Sequence, residues 1–251
     1  MSPERKESIR LSRFISLVGM GSRRKAGTMI EEGRVEVNGL VVREVALRVN
    51  PDCDVIKIDG VRVVPPGRYT YLILNKPRGF VCNANPVGNQ KSIYCLLPGP
   101  RPYSLKYAGR LDLDSEGLLI LTDEGELVYR LTHPRFKIRK IYMVKTIGVP
   151  GQSALANLRR GVRLSDGPTL PCRVKLTRRV RGGAWFRVEL FEGRKRQLRR
   201  MFGNVGYEVA RLKRIAIGPT HLGSLAPGRV RPLSDKEVMR LRGAVGLIDR
   251  T

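Results

Sequence analysis

The run Pro65-Pro66-Gly67 places the strongest constraint on this chain, because two prolines followed by a glycine fit neither a helix interior nor a central strand. It separates two segments of unlike charge. Residues 1–68 hold 13 Lys and Arg against 9 Asp and Glu, a net of +4. The whole chain carries 48 against 22, a net of +26, so +22 falls on the remainder. Between Arg135 and Arg214 alone there are 22 basic and 4 acidic residues. That excess is interleaved with hydrophobic residues, 41% of the chain, rather than collected in a tail, which is the pattern of folded domains whose surface attracts a polyanion. The 251 residues suit a small domain over 1–64, a linker at 65–68 and a larger domain over 69–251.

Several classes drop out early. No apolar run reaches the roughly 18 residues that cross a bilayer, and the start MSPERKESIR lacks the apolar stretch of a signal peptide. The expectation is a cytoplasmic protein with no membrane partner. Cys53, Cys82, Cys95 and Cys172 show no C-x-x-C spacing and no neighbouring histidine, so neither a zinc site nor a disulfide framework is expected. His133 and His221 stand alone.

In the first segment Leu11, Phe14, Ile15 and Val18 recur at helical spacing up to Gly19, and Ser22 is placed to cap a second helix with Ala26, Met29 and Ile30 on one face. Val35 and Val37 then alternate toward Asn38-Gly39, followed by Leu40, Val41 and Val42. Ile56 and Ile58 lead likewise to Asp59-Gly60, then Val61, Val63 and Val64. Both pairs suit tight hairpin turns. Arg10, Arg13, Arg23, Arg24 and Lys25 lie on or between the helices, where they can clamp phosphates, although solvated helix faces have the same pattern. The glycines of GMGSRR do not make a dinucleotide loop, since no strand precedes them and the third glycine is missing.

The stretch SRFISLVGMGSRRKAGTMIEEGRVEVNGLVV resembles the RNA-binding module named after ribosomal small-subunit protein four, over about residues 8–60. The resemblance implies that Arg10, Arg13, Ser22, Arg23, Arg24, Lys25, Arg34 and Asn38 lie at or near an RNA surface.

In the second segment YTYLILN and GLLILT read as buried strands, KIYMVKTI and AWFRVELF as longer ones, and QSALANLRRG as a helix. Strands joined by few residues cannot make parallel crossovers, so the expected class is α+β, a largely antiparallel sheet with helices packed against it. The segment YAGRLDLDSEGLLILTDEG crowds Asp112, Asp114 and Glu116 into one turn before a strand. Three carboxylates admit three readings: paired acids, a metal site, or one working acid beside solvated neighbours. Ordinary turn and cap chemistry also uses these residues. Arg110 and the surrounding positive charge favour a carboxylate held ionised.

This stretch resembles the RsuA-type pseudouridine synthases of ribosomal RNA. Three further segments agree in order: YLILNKPRGFVC with its Lys-Pro turn, KIYMV with its tyrosine, and FEGRKRQLRRMF followed by VARLKRIAIGP. The resemblance implies a small helix-helix-strand RNA-binding module followed by a mostly antiparallel mixed-sheet catalytic domain. It assigns the catalytic aspartate to Asp112, leaving Asp114 and Glu116 non-catalytic. Arg110 then helps displace and replace the target nucleotide, Tyr142 stacks on the flipped uracil, Leu198 packs beside the base and Arg199 pairs with Asp112. Lys195, Arg196 and Arg200 become phosphate contacts, and Lys76, Lys140 and Arg194 join the RNA-binding set. The implied reaction isomerises a uridine of ribosomal RNA, on naked RNA or a pre-ribosomal particle; members of the family modify either subunit's RNA, and large-subunit RNA is favoured here over small-subunit RNA. It needs no cofactor and no metal, and nothing in it requires more than a monomer. Two rivals remain: a ribosome-assembly protein that only holds RNA, and a metal-dependent nuclease using Asp112, Asp114 and Glu116.

Overall fold

The computed structural model describes residues 8–51, 53–65, 67, 69–99 and 105–247. Pro66 and Arg68 of the expected linker lie outside the described residues. The chain divides into two compact units, residues 1–70 with 100–105, and residues 71–99 with 106–251.

In the first unit α1 (Leu11–Leu17) and α2 (Arg23–Glu31) form where the apolar spacing predicts them, and the Ser22 side chain caps α2 by accepting from the Lys25 amide at 3.2 Å. A four-stranded antiparallel sheet follows, made of β1 (Val35–Val37), β2 (Leu40–Val42), β3 (Ile56–Ile58) and β4 (Val61–Val63) in the order β2-β1-β3-β4. Asn38 and Asp59 take φ of 53° and 50°, and the glycines after them 84° and 79°. Positive φ at both central residues matches the right-handed strand twist, so Asn-Gly and Asp-Gly set these hairpins. Leu11, Phe14, Ile15, Met29, Ile30, Ile56 and Ile58 close the core. Leu40 and Val61, at the start of the outer strands, are 74% and 67% exposed, whereas Val42 and Val63 at the ends of the same strands pack against that core.

The second unit is built on β5 (Tyr71–Lys76), β6 (Lys106–Ala108), β7 (Glu116–Thr122), β8 (Lys140–Ile147), β9 (Arg173–Val180), β10 (Gly183–Leu190), β11 (Val209–Ile217), β12 (Thr220–His221) and β13 (Val230–Pro232). Its helices are α3 (Gly125–Thr132), α4 (Gln152–Arg160), α5 (Gln197–Asn204) and α6 (Asp235–Ala244). The strands form one sheet in the order β9-β10-β8-β11-β7-β5-β13, with β6 beside β7 and β12 beside β11. Every pairing in it is antiparallel except β7 with β11, which touch in parallel at Glu116↔Lys213 and Gly117↔Arg214. The α+β expectation therefore holds. One face packs Ile73, Leu118 and Ile120 against Leu127 and Leu131 of α3 and Leu241 of α6. Val245, just past α6, joins the same core, which gives the segment after Leu241 a packing role; Ile248–Thr251 lie outside the described residues.

The sheet forks at β7. One edge of β7 pairs along its length with β5, while the other pairs first with β11 and then, from Ile120 to Thr122, with β6. The Leu118 carbonyl lies between those partners and accepts instead from Nε of Arg214 at 2.8 Å. The approach of β7 to β11 depends on Gly117, with φ of 110°: a Cβ there would lie 2.2 Å from the Arg214 carbonyl oxygen. Gly117→Ala is therefore expected to destabilise the protein by about 3 kcal/mol or more. Gly125→Ala, where an added Cβ meets nothing within 4 Å, should stay within about 1 kcal/mol of the parent. Denaturant midpoints of the two variants make the comparison.

Candidate active site

The loop between β6 and β7, residues 109–115, opens beside the fork and carries Arg110, Asp112 and Asp114. It is fastened from the adjacent β5 and the turn after it. Lys76, the last residue of β5, has no exposed surface, and its ammonium donates to the carbonyls of Pro77, Asp112 and Ser115 at 3.1, 3.0 and 2.7 Å. The Gly79 amide donates to the Leu113 carbonyl at 2.8 Å. The Cys82 thiol exchanges 3.5 Å contacts with the Leu111 amide and carbonyl. Burial pushes the Lys76 ammonium down and the Cys82 thiol up from their ordinary values. The expected role of Lys76 as an RNA contact is corrected: all three of its donors face carbonyls inside the protein, and it positions the aspartate loop.

That loop borders a cavity of about 440 Å³. Arg110, Asp112 and Ser115 enter from the loop, Lys140 and Tyr142 from β8, Lys195 and Arg196 from the turn into α5, Leu198 from α5 itself, and Arg214 from β11. Residues far apart in the chain thus reach one cavity because β8, β11 and β7 are neighbours. Tyr142 and Leu198 are 9% and 3% exposed, so the cavity has an aromatic and an aliphatic surface suited to a planar base. The Asp112 carboxylate is half-buried, and among the described residues it has no hydrogen-bond or ion-pair partner. Arg196 stands just before α5 with φ of 50°, a left-handed conformation costly for a long side chain and often found at working sites.

The acids divide their partners. Asp114 pairs with Arg199 at 3.1 Å and Arg196 at 3.3 Å, and Glu116 pairs with Arg211 at 2.7 Å. The expectation that Arg199 pairs with Asp112 is therefore corrected. Its guanidinium holds the carboxylate two residues on, together with the Asp114 and Val209 carbonyls. Side chains two residues apart on an irregular turn diverge, and the position of α5 selects Asp114. Among the described residues no three His, Cys, Asp or Glu side chains gather as metal ligands.

Other cationic residues are occupied at home. Arg194 donates to Glu192 and to the carbonyls of Asp166, Gly167 and Pro168, and so braces the turn before α5 although it borders the cavity. Arg200 forks onto Asp166, whose carboxyl is thereby lowered to about 2. In the first unit Arg34 is bidentate on Asp59 at 2.8 and 2.6 Å, and the Asn38 amide bridges Asp54 and the Val55 amide. Arg10, Arg13, Arg23, Arg24 and Lys25 are exposed. Sequence reasoning missed Tyr107, Gln197 and Arg214. Gln197, 4% exposed, bonds Glu192 at 2.7 Å and accepts from the Arg194 amide, and a lone amide amid arginines in RKRQLRRM was its only signal.

A basic helix-and-sheet module in one unit and, in the other, a cationic cavity lined by an aromatic ring, a leucine and a carboxylate unpaired among the described residues define a protein that works on a nucleotide of a larger nucleic acid. The S4 domain model matches residues 9–63, and the model described as RNA pseudouridylate synthase matches residues 70–204. An uncharacterized RNA pseudouridine synthase of Aquifex aeolicus is 41% identical over 95% of this chain and 96% of its own. The ribosomal large subunit pseudouridine synthase B of Bacillus subtilis is 38% identical over 93% of this chain and 95% of its own. A pseudouridylate synthase crystal structure superposes with a TM-score of 0.66 at 30% identity, covering 93% of this chain and all of that one. The chain belongs to the RNA pseudouridine synthase family and is an enzyme of that class.

The Lys76 geometry generates a prediction. Lys76→Met takes the ammonium away from the Pro77, Asp112 and Ser115 carbonyls, of which that of Asp112 keeps the Ser115 amide as donor, and should cost about 2 kcal/mol or more of stability. RNA binding by the folded fraction should keep the salt dependence of the parent, because no phosphate contact is lost. Thermal unfolding and filter binding across a salt series check both halves. A reduced salt slope would return Lys76 to the RNA surface.

Proposed function

We propose that this enzyme converts one uridine of ribosomal RNA, in the large subunit, to pseudouridine, with Asp112 as the catalytic group. The observation that carries the reading is the meeting of Asp112, Arg110, Tyr142 and Leu198, from three separate stretches of chain, around one cavity. The name of the Bacillus subtilis relative supports the choice of large-subunit RNA. No helix among the described residues is long and apolar enough to cross a membrane, and the cytoplasm is where ribosomal RNA would be met.

The reaction breaks the carbon–nitrogen glycosidic bond, turns the uracil and rejoins it to the same ribose through carbon. A uridine in folded RNA must first leave its stack, at a cost of about a few kcal/mol. Stacking on Tyr142 and packing against Leu198 offset that cost, and Arg110, exposed at the cavity, takes the vacated place. Asp112, whose carboxylate has no partner among the described residues, then acts on the nucleotide as nucleophile or as base. The exposed cations supply affinity without sequence choice, so the target is a loop or bulge whose uridine can splay out. The first unit raises the effective concentration of the second on that RNA, being covalently joined to it.

Asp112→Asn should abolish conversion in unmodified ribosomal RNA, mapped by chemical reactivity and reverse transcription, while RNA affinity stays within a few-fold of the parent. If neither protein converts any uridine yet both bind, the RNA-holding rival replaces this reading. Arg23→Ala together with Arg24→Ala should weaken binding and lower the salt slope by about 1 to 2, leaving the saturated single-turnover rate unchanged.

A further inference from the structure

Lys140 and Arg214 are the unexplained charges of the cavity. They are 8% and 2% exposed. Tyr142 is the cross-strand partner of Arg214, and Lys140 lies two residues from Tyr142 on the same strand, so all three project from one face of the sheet. Among the described residues neither cation has a carboxylate within ion-pair distance. The Lys140 ammonium donates only to the Ile138 carbonyl at 3.2 Å. Arg214 uses Nε on Leu118 and Nη1 on the Arg110 carbonyl, and its Nη2 has no partner. Burial, and then the charge of Arg214, lowers the Lys140 ammonium to about 8. Two like charges taken out of water without a counter-ion are unfavourable, and the fold keeps them directly beside the aromatic ring of the cavity.

We propose that Lys140 and Arg214 form a buried cationic floor that stabilises the uracil anion released when the glycosidic bond breaks. The proposal rests on the synthase reading above. The bond between nitrogen 1 of uracil and the ribose carbon breaks with its electron pair on the ring, and the negative charge spreads to both ring oxygens. After the ring turns, an electron pair at carbon 5 forms the new bond to the same ribose carbon. The proton on carbon 5 leaves and nitrogen 1 takes one up, so the product is an isomer and no co-reactant is needed. Charge on a detached, water-shielded ring has to be met by fixed cations, and a low-dielectric wall makes their field strong. A backbone phosphate is the competing anion. The apolar surfaces of Tyr142, Leu198 and Leu190 favour a base here, whereas Lys195 and Arg196, exposed at the rim, suit phosphates.

The test uses the full chain with transcripts of both ribosomal RNAs, in single turnover at saturating enzyme, beside RNA binding over a salt series. Lys140→Met should lower the saturated rate by about 100-fold or more with affinity and salt slope unchanged. Lys140→Arg should recover most of that loss. Arg214→Lys, which keeps charge but not the Nη2 group, should fall between the two, with its unfolding midpoint measured to separate loss of fold from loss of rate. An unchanged saturated rate in Lys140→Met, with weaker binding and a slope lowered by about 0.7 to 0.9, would assign Lys140 to a phosphate and overturn the proposal. So would equal losses in Lys140→Met and Lys140→Arg. If the parent itself converts nothing, the synthase reading fails first, and the two failures are distinguishable.

Discussion

One buried ammonium organises the catalytic unit. Lys76 has no water to solvate it, so it must find oxygen acceptors inside, and the three it finds belong to Pro77, Asp112 and Ser115. A cation that donates to backbone carbonyls fixes main chain, and here the main chain is that of the aspartate loop. The Asp112 side chain is left out of this network and out of every ion pair among the described residues. Holding the backbone through Lys76, Gly79 and Cys82 therefore fixes the loop without engaging the Asp112 carboxylate, the group proposed above to act on the nucleotide.

The fork at β7 creates the cavity. A strand that exchanges one neighbour for another leaves a carbonyl without a ladder partner, and Arg214 supplies the missing donor. That local repair places a guanidinium under the cavity, next to Tyr142 across the β8–β11 pairing. Gly117 makes the approach of the two strands possible, so a backbone requirement, an orphan carbonyl and a buried cation share one origin.

The charge excess resolves into distinct populations. Arg34, Arg194 and Arg200 fasten loops and hairpins through Asp59, Glu192 and Asp166. Arg10, Arg13, Arg23, Arg24 and Lys195 face solvent. Arg196 and Arg199 hold Asp114, while Lys140 and Arg214 are buried with no counter-ion among the described residues. A count of basic residues ranks these groups equally, although only the exposed ones add directly to long-range attraction of RNA.

Local pattern determined much of this protein. The helix spacing of Leu11 to Val18, the Ser22 cap, the Asn-Gly and Asp-Gly hairpins and the buried strands 71–76 and 116–122 are short-range consequences of side-chain period and turn chemistry. The ordered motifs carried the family, and with it the expectation about Asp112, Tyr142 and Leu198. Tertiary structure decided what each charge does. Asp112, Asp114 and Glu116 are alike in the sequence, and only the position of α5 and β11 gives the last two their arginines. Lys76 reads as a surface cation before a proline, yet the strands packed around it exclude water and turn its donors inward. Arg214 carried no signal, because a strand that forks is not visible in any local pattern. Burial and ion pairing depend on residues dozens of positions away in the chain, so their outcome appears only when the sheet brings those residues together.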